Sequence, residues 1–247
     1  MYGSLCAEFY DLSLSSPYAD NKEIYFYNSY LKPTCTYLEA MCGSGRLLIP
    51  LLKNGLQVHG VDNSSSMLQS CKDRAKAFNL DPILFNDYAE KMALPYLYDG
   101  ILISLGSFQL LPTRSTALQA LENFRKHLDY GGKIILDLFI PWKALHEGGE
   151  EYFYSEKEVT TQNGEVIKLK MCEKANKFNQ SVLTSSTYCK ILNGKIIKNE
   201  EEKYCLRWYY QFEVELMLEK VGFTNIKMIE REINQVQLMT FIAEKDN

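Results

Sequence analysis

The segment Leu38-Glu39-Ala40-Met41-Cys42-Gly43-Ser44-Gly45-Arg46 joins an apolar run, a carboxylate and a Gly-x-Gly turn. Glycine reaches positive φ at little cost and lets a ligand approach the backbone. A helix opening after the turn adds free N–H groups. A second apolar run, Val58-His59-Gly60-Val61-Asp62-Asn63-Ser64, also ends in an acid. Asp62 falls 17 positions after Gly45, the length of one helix plus one strand. Its carboxylate is therefore expected at the neighbouring strand end, where it can accept from both hydroxyls of a ribose. The alternative for Asp62 is a helix N-cap. Leu48 stands where the dinucleotide pattern G-x-G-x-x-G has its third glycine, which argues against a NAD or FAD site.

Such a site needs a sheet whose strands run side by side, and the surrounding chain supplies one. Tyr37–Ala40, Gln57–Asp62, Pro82–Asn86, Tyr98–Ser104 and Lys133–Phe139 read as strands, the last after a Gly131-Gly132 turn. Helices are expected at Gly45–Asn54, Ser64–Phe78 and Thr113–Leu128. The alternation implies an α/β fold, a Rossmann-like and mostly parallel seven-stranded sheet with helices on both faces. Ligands then bind beyond the carboxyl ends of the strands. Residues 150–206 break the alternation. Asn163-Gly164 and Asn193-Gly194 suit type I′ hairpins, and a polar turn lies near Asn179-Gln180. An antiparallel β insert after the fifth strand is expected to stand over the crevice. Trp208–Val221 resumes the helices, with Gly222 as C-cap, and Phe223–Glu230 and Val236–Glu244 close the sheet. The expected division is an N-terminal helical arm or lid over residues 1–34, a core over 35–140 and 207–247, and the insert over 141–206.

Composition narrows the class. The chain has 247 residues, 46% of them hydrophobic and 23% charged, enough for one sizeable core. A net charge of -4 opposes general nucleic-acid binding. The N-terminus lacks the pattern of a secretory signal, and no apolar run approaches the ~20 residues of a membrane span. Seven scattered cysteines without a C-x-x-C pair read as free thiols in a reducing cytoplasm, with no metal site.

LEAMCGSGR, VHGVDNSSSML, FNDYAEKMALP, YDGILISLGSFQLL, HLDYGGKIILDLF and MLEKVGFTNIKMI, in that order, resemble the motifs of class I S-adenosylmethionine (SAM)-dependent methyltransferases. The resemblance covers about residues 35–140 and 207–245. The arm, core and insert together are similar to small-molecule N-methyltransferases, including sugar N,N-dimethyltransferases. The resemblance implies SAM as cofactor. Glu39 would support the glycine turn, Gly43 and Gly45 would let the backbone approach SAM, and Asp62 would hold its ribose. Asn63 and Met67 would flank the adenine, Asp87 would accept from its amino group with Tyr88 nearby, and Ser104 would lie under the methionine. Tyr10 resembles a tyrosine that closes over the cofactor. The family usually has glycine at Met41, and Met41 fits only if its φ is negative or the turn differs.

Methyl transfer asks the protein chiefly to align a nucleophile and exclude water. A base is needed only if the acceptor arrives protonated. His146, after the fifth strand, and Asp137, near its end, are the candidate catalytic residues; the alternatives are a solvated loop histidine and a carboxylate bonded to backbone. His59 and His127 read as structural. Expected pocket walls are Phe108, Gln109, Phe139, Trp142, Arg207 and Tyr209, with core packing as the alternative. Glu200-Glu201-Glu202 reads as a solvated strand or turn. The expected activity is methyl transfer to a small-molecule nitrogen or oxygen, by a monomer or by a homodimer joined through the insert. Competing readings are a protein or RNA methyltransferase and a non-catalytic binding module. The first of these lacks an Asn-Pro-Pro-Tyr-type signature, since Ser104-Leu105-Gly106-Ser107 stands there.

Overall fold

The computed structural model describes residues 3–13, 18–148, 152–233 and 235–246. In chain order they form α1 (Ser4–Ser13), α2 (Asn21–Asn28), β1 (Thr36–Ala40), α3 (Leu48–Lys53), β2 (Gln57–Asp62), α4 (Ser65–Lys76), β3 (Leu84–Asn86) and β4 (Tyr98–Ile103). A 3-10 turn (Ser107–Leu110), α5 (Arg114–His127) and β5 (Leu128–Leu138) follow. After a π-type turn (Ala144–Gly148) come β6 (Phe153–Thr160), β7 (Val166–Asn176), β8 (Ser181–Leu192) and β9 (Lys195–Arg207). The chain closes with α6 (Gln211–Val221), β10 (Phe223–Ile233) and β11 (Val236–Lys245).

Seven strands form one sheet in the order β10-β11-β5-β4-β1-β2-β3. Strands β1 to β5 are parallel, and β11 runs antiparallel to both β5 and β10. Successive residues of a strand face opposite sides. Leu38 and Ile134 thus join Leu121, Phe124 and Leu218 of α5 and α6 on one face. Tyr37 and Ile135 join Tyr27, Leu51 and Cys71 of α2, α3 and α4 on the other. The strand order reverses between β1 and β4, which opens a crevice at the carboxyl ends of both.

Local signals set most boundaries. The Ser64 side chain accepts the Met67 N–H at the start of α4, and Thr113 does the same for Thr116 at α5. Gly222 ends α6 in the left-handed region, as the sequence implies. Two expectations need correction. Residues 43–47 are turn, so α3 starts at Leu48 and not at Gly45. Strand β5 begins at Leu128; the Gly131-Gly132 stretch is a bulge inside it, since Tyr98 pairs with Leu128 and Gly100 with Lys133.

Strands β6 to β9 form a separate antiparallel meander. Asn193 and Gly194 both have positive φ, as a type I′ turn requires. Asn163 is not left-handed; that turn instead closes through Gly164 N–H to Thr161 O and Thr161 N–H to Glu165 O. Helix α1 docks on the inner face of this sheet, where Leu5 and Phe9 bury against Ile167, Leu169 and Tyr188. Burying each such side chain contributes about 1.5–3 kcal/mol. The acidic run is not simply solvated. Glu200 accepts the Leu5 and Cys6 N–H groups at 3.0 and 3.1 Å, satisfying the first turn of α1, and Glu202 is buried.

Candidate functional site

At the end of β1 the chain turns sharply, with Met41, Gly43 and Gly45 at φ 58, 54 and 79°. Met41 therefore keeps the left-handed conformation that suits glycine, so of the two ways it was expected to fit, a negative φ is not the one realised. Its side chain packs against the core under the sheet. The two glycines act differently. A Cβ on Gly43 would meet nothing within 4 Å, so that backbone lies open to the crevice. A Cβ on Gly45 would stand 2.5 Å from Cys71 Sγ, so Gly45 permits α4 to pack on the turn.

Asp62 fixes this turn. Its Oδ2 accepts the Gly43 N–H at 2.9 Å, and its Oδ1 accepts the Ser64 N–H at 2.8 Å. Ser64, not Asp62, caps α4. A carboxylate has about four acceptor directions, so both oxygens retain capacity for ligand hydroxyls. Burial raises the Asp62 pKa, while the two backbone N–H groups pull it down. Asp87 lies at the next strand end: its N–H donates to Asp62 O at 3.2 Å, and its Oδ1 accepts the Tyr88 N–H at 2.8 Å. Asn63 is half-buried, Met67 buried and Tyr88 exposed around this corner.

Glu39 is the buried acid of the site. Ser104 donates to its Oε1 at 3.1 Å, and its Oε2 has no partner among the described residues. Burial pushes its pKa up to about 8; the nearby Arg46 charge and the Ser104 hydroxyl hold it down. Arg46 itself is gripped by Glu23 of α2. From α1, Asp11 accepts from Ser44 Oγ at 2.6 Å and Arg74 at 3.0 Å, and also from Ser70 Oγ. Tyr10 is held beside the turn, where it senses the charges of Arg46 and Glu39, and burial raises its pKa. The arm thus closes on the glycine turn.

Several expected residues belong to the frame instead. Asp137 is fully buried and saturated: it accepts from Tyr27 Oη at 2.7 Å, Arg231 at 2.6 Å, Thr240 Oγ1 at 2.7 Å and the Leu105 N–H at 3.3 Å. No acceptor molecule can reach it, so the catalytic assignment of Asp137 is corrected. Gln109 is also fully buried; its amide donates to Phe139 O and Arg207 O and accepts the Phe139 N–H. Arg207 donates to Pro112 O and Asn179 O, tying β9 to the core. Phe108 and Tyr209 pack together in the core. These four are joints between layers rather than pocket walls. His146 and Trp142 are exposed on the turn after β5, their rings stacked at 6.0 Å. His59 accepts or donates with Tyr98 Oη at 3.2 Å, and His127 bonds Leu94 N–H and Asn123 O, both within the frame.

A cavity of about 240 Å³ lies between the segment after β5 and the insert. Phe139, Lys143, Glu173, Thr184 and Tyr204 line it, among others. Of these only Phe139 stands out in the sequence, because the alternation of β7, β8 and β9 reveals a face but not which residues end up opposite one another.

Residues 38–132 match a methyltransferase domain family. Over 188 residues the chain is 23% identical to the Bacillus subtilis (strain 168) protein named "Putative methyltransferase YqeM"; the match spans 75% of this chain and 72% of that protein. Among solved structures, an S-adenosylmethionine-dependent methyltransferase from Clostridium acetobutylicum ATCC 824 superposes with a TM-score of 0.75 at 18% identity, over 98% of each chain. The CcbJ methyltransferase of Streptomyces caelestis gives 0.74 at 20% identity, over 100% of this chain and 98% of its own. The sugar N-methyltransferase KedS8 of Streptoalloteichus sp ATCC 53650 gives 0.70 at 14% identity, over 93% and 87%. At these identities the likeness shows the fold. The residues present fit the cofactor: an open backbone at Gly43, an unpartnered buried carboxylate oxygen on Glu39, and Asp62 with acceptor capacity to spare.

Proposed function

We propose that this chain, whose residues 38–132 are a methyltransferase domain, uses SAM to methylate a nitrogen or oxygen atom of a small molecule. The observation that supports a small-molecule acceptor is the concave cavity of about 240 Å³ beneath the insert, where Phe139 and Tyr204 stand beside the polar Lys143, Glu173 and Thr184. The similarity in fold to CcbJ and KedS8 supports the same reading.

Asp62 holds the ribose, with Asp87 and Tyr88 at the adenine edge and Asn63 and Met67 flanking its ring. Glu39, Gly43 and Ser104 receive the methionine portion, and Tyr10 closes over it from the arm. When bound, SAM supplies a methyl group on a positively charged sulfonium. The chain's share is to orient the acceptor and exclude water. In this reading residues 1–34 are the lid, 35–140 with 207–247 the cofactor core, and 141–206 the roof of the acceptor site. No helix among the described residues is long and apolar enough to cross a membrane.

Calorimetric titration with SAM and with S-adenosylhomocysteine tests the reading. Micromolar binding that weakens at least about tenfold in Asp62→Ala is the expected result, the cost of losing hydrogen bonds to a charged group. Folded protein that binds neither ligand would leave the scaffold reading in its place.

A further inference from the structure

The inner face of the insert carries a row of side chains in direct register. Phe153 of β6 pairs with Glu173 of β7, Glu173 with Thr184 of β8, and Thr184 with Tyr204 of β9. Residues directly opposite in an antiparallel ladder stand on the same face and touch. Thr184 is buried and donates its hydroxyl proton to Glu173 Oε1 at 3.2 Å. Tyr204 stands directly opposite Thr184 and hydrogen-bonds it. All three line the cavity after β5. One row further along, outside the cavity lining, Ser186 is buried and Glu202 accepts from Cys6 Sγ of α1 at 3.3 Å.

We infer that Tyr204, Thr184 and Glu173 form a proton relay that takes a proton from the acceptor, and that the acceptor is an amine protonated at neutral pH. This rests on the methyltransferase reading above. In the relay, the ammonium N–H passes its proton to Tyr204 Oη. The Tyr204 proton moves to Thr184 Oγ1, and the Thr184 proton moves to Glu173, which becomes neutral. The amine nitrogen is left with a free electron pair, no net charge is created, and half-exposed Glu173 returns the proton to water. Tyr204 is the catalytic residue of the three because it touches the acceptor; Thr184 and Glu173 are positioning residues. The titratable or charged groups facing Glu173 in the cavity are Tyr204 from β9 and Lys143 from the segment after β5; Glu202 lies one row away, outside the lining.

The test measures methyl transfer to glucosamine, galactosamine and ethanolamine between about pH 6 and pH 10, with S-adenosylhomocysteine binding measured in parallel. Tyr204→Phe, Thr184→Val and Glu173→Gln are expected to lose roughly a hundredfold in kcat at the acid end. The loss should shrink as pH passes the amine's own pKa, because solvent then removes the proton. Thr184→Ser, which keeps the hydroxyl, should retain most of the rate. S-adenosylhomocysteine affinity should stay within about twofold in all four variants. A deficit that is constant with pH, or no deficit, overturns the relay. Wild-type protein that binds S-adenosylhomocysteine but methylates none of the amines overturns it as well. Failure to bind S-adenosylhomocysteine at all sinks the methyltransferase reading instead.

Discussion

Arg46 and Glu23 form a two-pronged ion pair, NH1 to Oε2 at 2.6 Å and NH2 to Oε1 at 2.7 Å, with both side chains almost wholly buried. It ties the second arm helix to the glycine turn. Removing one partner of a buried pair strands the other charge, so Glu23→Gln should cost about 3–5 kcal/mol in urea unfolding. SAM affinity should fall as the turn loosens. A cost below about 1 kcal/mol would mean that water reaches Arg46 and that the arm is not locked.

Glu39 gives a pH dependence of known sign. Its folded pKa, about 8, lies above the ordinary value of 4.5. The folded state therefore holds a proton that the unfolded state releases. The resulting stabilisation is complete below the ordinary value and is lost as pH rises towards about 8. Ligand-free wild type should lose on the order of a few kcal/mol across that window, relative to Glu39→Gln. Denaturant unfolding of the two proteins at several pH values measures this, and parallel curves would refute it. Since a bound ammonium favours the ionised acid, SAM binding near neutral pH should release a proton, seen as a dependence of the binding heat on buffer.

Met41 sits at φ 58° with its side chain against the core. The left-handed conformation costs about 1–2 kcal/mol for a residue with a Cβ. Met41→Gly removes that cost but also the packing, so its stability should stay within about 1 kcal/mol of wild type. Met41→Val adds a branch at Cβ where it is least tolerated and should lose about 2 kcal/mol. Thermal melts decide the matter; equal melting temperatures for the two variants would show that backbone strain is not what this position stores.

Asp137 separates frame from chemistry. Arg231 both pairs with it and lies over the Phe26 ring at 3.6 Å. Asp137→Asn should lower stability by about 3–5 kcal/mol, and Arg231→Ala should add little on top of it, because the two share one interaction. A folded, fully stable Asp137→Asn protein without transferase activity would return the residue to the active site.

Much of this was legible from residue order alone. Strand β2 runs from Gln57 to Asp62, as its pattern implies, and Ser64 and Gly222 cap the helices they flank. Asp62 and Asp87 fall at adjacent strand ends because a helix and a strand have set lengths. Asp137 resisted such reasoning because its partners Arg231 and Thr240 lie 94 and 103 residues away. Gln109 has the same origin: an amide in the right neighbourhood, but spent on backbone groups of Phe139 and Arg207. Helix α3 began late because the glycines reserve the turn for themselves. Glu173, Thr184 and Tyr204 are ordinary members of polar strands until pairing sets them in line.

That line has a consequence for how the pocket can change. Side chains in a strand alternate with period two, so sliding β8 by one residue would turn Thr184 and Ser186 outward and bring Leu183 and Ser185 in. Sliding it by two would keep the same set of side chains on the face but put Ser186 or Val182 in the place of Thr184. Insertions and deletions in these hairpins therefore act on the cavity beneath the insert in discrete steps. Even steps exchange one lining for another, and odd steps erase the lining altogether. The insert is an adjustable roof with a ratchet, and natural or engineered changes in acceptor should follow its even clicks.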